Sequence, residues 1–125
     1  MRVIGFDERH VVSEGVGANF VVFIYEGGGE GCSWSVDSLL LSGSDLPHVL
    51  DWLRANLPVD SCWSLGVVLA PEQPTADSDL SIRWIVGDDL LNSDLNDLSP
   101  TQQRVAEQML ARRHRVGLLP GSEAD

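Results

Sequence analysis

The chain has no lysine, so its positive charge rests on eight arginines set against 19 acidic residues, for a formal net charge of -11. We read the missing lysine as genomic base composition rather than mechanism. Phosphate contacts need Lys and Arg, so this balance disfavours direct binding of nucleic acid or of an anionic membrane and favours a basic partner. Cysteine is scarce as well. Cys32 and Cys62 are too few for a disulfide framework or a four-ligand zinc site, which leaves two reduced structural thiols. No apolar run is long enough for a membrane span, and Met1 to Gly5, followed by Asp7 and Glu8, lacks the basic start of a signal peptide. A cytoplasmic protein is expected. Local catalytic signatures are missing too: there is no G-x-S-x-G elbow, H-E-x-x-H helix, C-x-x-C pair or P-loop.

What is present suits one domain. At 125 residues with 43% hydrophobic content, the chain can bury a core of its own, and residues 1–117 are expected to form it, with 118–125 as a flexible tail. Charge is uneven along it. Residues 1–99 hold 16 acids and four arginines, whereas residues 100–125 hold four arginines and three acids.

Hydrophobic periodicity sets the element order. "NFVVFIY", residues 19–25, is apolar on both faces and predicts a central strand; "EGGGEG" supplies a turn, and Ser33 to Leu41 returns with Trp34, Val36 and Leu40 on one face. Val3 to Phe6 and His10 to Ser13 are shorter strand candidates. Ser44 or Asp45 caps a helix whose Leu46, Val49, Leu50, Leu53 and Leu57 repeat at helical spacing until Pro58. Cys62 to Ala70 and Leu80 to Val86 predict two further strands, joined by the exposed loop "PEQPTADSD". Ser99, Pro100 and Gln102 form a capping-box start for a second helix that runs to about Arg115, with Gly117 as its terminating residue. Together these predict an α+β fold: a mainly antiparallel sheet of five or six strands with two main helices packed on one face.

The acid-rich "WIVGDDLLNSDLNDLSP", residues 84–100, invites a metal reading. Asn92, Asp94 and Asn96 occupy relative positions 1, 3 and 5 of a calcium loop, but position 6 is Asp97 instead of Gly and position 12 is Gln103 instead of Glu. No metal and no cofactor are therefore assigned. Leu91, Leu95 and Leu98 share one side of a short amphipathic turn, and Asp88 or Asp89 suits a cap. Two readings of the acids stay open: a solvated face, or a negative surface that steers a basic partner. Trp52, about 120° from the leucine stripe of the first helix and beside Asp51, is either an interface anchor or packed under a loop. His10, His48 and His114 with the two cysteines are the only nucleophile and base candidates. A Cys32–His10 dyad requires the early strands to pair. Arg112, Arg113 and Arg115 gather at a helix end, where cations complement the dipole, and Arg113 lies on the apolar arc, placed to snorkel or to pair with the acidic stretch.

A small acidic α+β chain carrying "DLPHVLDWLRANLP", "CWSLGVVLA" and "LSIRWIVGD" resembles the immunity proteins of bacterial polymorphic and contact-dependent toxin systems. The resemblance implies a non-catalytic inhibitor that binds a cognate toxin tightly, with acidic residues set over a basic active site. On this chain's own residues it points to Trp52, Asp51, Glu72, Asp77, Asp79, Asp88, Asp89 and Asp94 as partner-binding positions. The alternatives are an accessory or adaptor subunit of a larger assembly, and a small enzyme or ligand-binding domain.

Overall fold

The computed structural model describes residues 1–13, 15–28 and 33–117; Cys32, most of the glycine-rich turn and the expected tail at 118–125 lie outside the described residues. The elements are β1 (Ala18–Gly27), β2 (Trp34–Ser44), α1 (Leu46–Asn56), β3 (Cys62–Ala70), β4 (Ser81–Val86) and α2 (Pro100–Ala111), with single 3-10 turns at Glu8–His10 and Leu95–Asp97. The fold is α+β. Its sheet is antiparallel throughout, in the order β2-β1-β3-β4, so the apolar β1 lies inside, as its two-sided hydrophobicity requires.

Four strands are described instead of five or six. Val3–Phe6 and His10–Ser13 form none, and no ladder includes them. A short apolar run becomes a strand only where a neighbour supplies hydrogen bonds, and none of the four described strands pairs with these segments.

Successive strand residues face opposite sides of a sheet. On one side, Phe20, Val22, Ile24, Trp63 and Leu65 pack with Val49, Leu53 and Leu57 of the first helical segment, and Val116 completes this main core. On the other, Tyr25 and Cys62 pack with Met109 of α2. The helices therefore serve opposite faces, not the single face expected: the loop after β4 carries the chain past the sheet end before α2 begins. A third cluster, Leu90, Leu98 and Ala106, ties that loop to α2.

Both helices start where capping chemistry predicts. Asp45 accepts the His48 backbone N–H at 2.9 Å, and Ser99 and Gln102 form the reciprocal capping box. α2 ends at Ala111 rather than near Arg115, and the left-handed residue behind it is His114 (φ 56°), not Gly117. The early exit lets Val116 reach the main core and lets the Trp63 indole N–H donate to the Arg115 carbonyl. Among the described residues, no helix is long and apolar enough to cross a membrane.

Candidate functional site

The face of the sheet opposite α1 has two differently furnished ends. At the first, Tyr25 is fully buried, and its hydroxyl donates to Asp89 Oδ1 at 2.9 Å. The same hydroxyl lies 3.3 Å from Ser64 Oγ and 3.4 Å from the Asp88 carbonyl oxygen. Burial pushes the Tyr25 pKa far up; Ser64 opposes the shift, and the hydrogen bond and negative charge of Asp89 add to it, followed by Asp88. The phenol therefore stays protonated and donates. Asp88 Oδ1 in turn accepts the Asp89 N–H at 2.6 Å.

The rest of this loop is similarly committed. Asn92 Oδ1 accepts the Trp34 N–H at 2.8 Å while its Nδ2 donates to the Trp34 carbonyl at 3.0 Å, so one side chain mimics a neighbouring peptide at the start of β2. Asp94 Oδ1 accepts the Asn96 N–H at 3.0 Å. The residues at calcium-loop positions 1 and 3 are thus engaged by backbone groups of Trp34 and Asn96, and among the described residues no three His, Cys, Asp or Glu side chains converge as a metal site.

Arg113 closes this end. Its guanidinium donates to the carbonyls of Asp60 (2.7 Å) and Gly27 (2.9 Å) and lies 4.9 Å from the centre of the Trp34 ring. Of the two roles open to it, it takes neither the acidic stretch nor free water: it bridges backbone carbonyls under an aromatic face. Gly28, at φ +65°, is required there, because a Cβ would overlap the Trp34 indole. Cys62 lies beneath, fully buried; burial pushes its thiol up to about 11, with Arg113 pulling weakly the other way.

The second end is built otherwise. Asn19 Nδ2 donates to the Glu72 carbonyl at 3.0 Å, and Thr75 and Ser78 tie a turn through the Thr75 N–H to Ser78 Oγ bond at 2.8 Å. The loop so held walls a hollow of about 350 Å³ against Val21, Phe23 and Leu40, with Ala76, Ser78 and Leu80 on the loop side. Asp77 and Asp79 alternate in sequence with those lining residues and are exposed, as is Glu72. Among the described residues, no hydrogen bond or ion pair engages these three carboxylates.

The remaining expected positions lie on the other face. Asp51 pairs with Arg54 Nη1 at 3.0 Å, and Trp52 is half-buried against the main core rather than standing free. The eight expected residues therefore do not form one patch. The two acidic loops sit beside Asn19 and Tyr25, six residues and roughly 20 Å apart along β1.

The histidines do not converge either. His10 belongs to the 3-10 turn before β1, His48 Nδ1 lies 2.7 Å from Asp45 Oδ1 at the start of α1, and His114 Nδ1 lies 3.0 Å from the Pro58 carbonyl past its end. Tyr25, Asn92 and Arg113 were not singled out together by sequence; a tyrosine at the end of the apolar run Phe20–Tyr25, whose hydroxyl must find a partner, was the available signal.

Compared with family models, curated proteins and solved structures, the chain finds no match.

Proposed function

We propose that this chain is a non-catalytic protein-binding inhibitor, an immunity protein that neutralises a cognate bacterial toxin by presenting an acidic surface to a basic partner. The observation that supports it best is the apolar hollow between β1, β2 and the 71–80 loop, with the exposed, unengaged carboxylates of Glu72, Asp77 and Asp79 carried on that same loop. Interfaces concentrate their energy where a large side chain fills a desolvated pocket, and charge on the rim sets encounter rate and orientation. An arginine or lysine, or an apolar residue flanked by basic ones, suits both parts. The aliphatic stem enters the hollow and the cation meets the carboxylates.

The test uses the product of the adjacent gene as the partner. Asp77→Arg combined with Asp79→Arg is expected to weaken the complex about tenfold or more, with a steeper loss for wild type than for the variant as salt rises. Binding equal to wild type at every salt concentration would remove this reading. Asp89 is left intact, because its carboxylate holds Tyr25.

A further inference from the structure

We propose that β2 is a docking edge for the N-terminal arm of a second copy of this chain, so that two copies exchange arms reciprocally. This goes beyond the acidic-surface reading and does not rest on it, although Ser38, Leu39 and Leu40 of β2 also line the hollow given there to the partner. β2 is an edge strand whose register with β1 is continuous from Trp34 to Leu41. In an antiparallel ladder the N–H and C=O of one residue point the same way, and the direction alternates along the strand. Asn92 engages both groups of Trp34, which fixes that residue as facing away from β1. Val36, Ser38 and Leu40 therefore also turn their backbone groups outward. Among the described residues no hydrogen bond outside the β1–β2 ladder reaches them. Natural edges are usually blunted by proline, lysine or a bulge, and this stretch has none of the three.

The same chain carries a segment suited to that edge. In Arg2–Phe6, Val3, Ile4 and Phe6 are 88%, 67% and 73% exposed, and a Cβ placed on Gly5 would meet nothing within 4 Å. Five extended residues span about 17 Å, the length of Asp37–Leu41, and an arm set parallel along that stretch puts Arg2 beside Asp37 on one face of the sheet. Charge agrees with this pairing. The single charged residue of positions 1–6 is Arg2, and the single charged residue of β2 is Asp37. Docking would cover Val3, Ile4 and Phe6 together with Val36 and Leu39, each now more than a third exposed. Because each copy holds one arm and one edge, the exchange closes on itself as a twofold dimer.

Sedimentation of the full chain over a concentration series tests this, and a dimer is expected. Ser38→Pro removes an N–H that faces away from β1, which an edge strand tolerates, and is expected to raise the dimer dissociation constant about tenfold or more. Deleting residues 1–6, which are exposed and outside the sheet, is expected to do the same with the circular dichroism unchanged, and stands in if the proline variant fails to fold. Mixing the two variants is expected to restore one arm–edge contact and a heterodimer that neither forms alone. A chain monomeric at all concentrations, including one whose arm lies on its own β2, overturns the proposal. So does a dimer that survives arm deletion, since the two edges would then pair directly.

Discussion

Residues 71–80 and 87–98 are both aspartate-rich loops at the same face of one sheet, yet their carboxylates do opposite work. In 87–98, Asp89 serves a buried phenol, Asp88 its neighbour's N–H, and Asp94 a local turn. In 71–80, Glu72, Asp77 and Asp79 serve nothing among the described residues. Composition does not separate the two loops. What separates them is the polar tip of Tyr25, which reaches one end of the sheet and leaves the other end apolar.

Truncating one anchor at each end gives the largest contrast. Met109 is fully buried against Tyr25 and Cys62, so Met109→Ala is expected to cost about 3 kcal/mol from lost burial and the cavity left behind. Leu80, at the open hollow, is already 36% exposed, and Leu80→Ala is expected to cost less than about 1 kcal/mol. Denaturant unfolding of both variants measures the difference. Equal losses would mean that the hollow is core, not a docking surface.

Next comes a comparison of the acids themselves. Asp89→Ala takes the shortest acceptor from the Tyr25 hydroxyl but leaves Ser64 and the Asp88 carbonyl, so a loss of about 1 kcal/mol is expected. Asp77→Ala and Asp79→Ala are expected to stay within about 0.5 kcal/mol of wild type. Thermal melts that ranked Asp77→Ala below Asp89→Ala would reverse the assignment of roles.

Sequence reading recovered most of the scaffold because its signals are local. The β1–β2 hairpin, the Asp45 cap, the β3–β4 pair and the Ser99–Gln102 box each depend on residues close together in the chain. It failed at Val3–Phe6 and His10–Ser13, where short apolar runs were present but none of the described strands pairs with them. It also placed α2 on the wrong face, since helical periodicity shows that a helix has an apolar side without showing which sheet surface meets it. The division of labour among the acids was beyond it. Asp89 meets a hydroxyl 64 positions away, and Asn92 a backbone 58 positions away.

The closed end should also differ chemically. With the Cys62 thiol pushed up to about 11, it remains protonated and covered at pH 8, and a thiol reagent is expected to modify it only as fast as the domain opens. A raised acid pKa in the fold contributes stability that is complete below the ordinary thiol value and is lost as pH rises through about 11. Labelling rates that follow thiolate concentration instead of opening would place this end of the sheet in contact with solvent.

The smallest expected effect belongs to a carboxylate outside both loops. Asp45 is held below the usual aspartate range first by the His48 backbone N–H and then by the His48 side chain. A lowered carboxylate pKa contributes stability that is present above the ordinary value near 3.8 and is lost as pH falls through the lower folded value. Asp45→Asn keeps a capping oxygen but no charge. Its melting temperature should therefore sit slightly below wild type at pH 6 and converge with it once acid has protonated Asp45 in both folded and unfolded chains. A gap that persisted at the acid end would show that the cap acts through side-chain geometry alone, and that an engaged carboxylate in this fold is a hydrogen-bond acceptor first and a charge second.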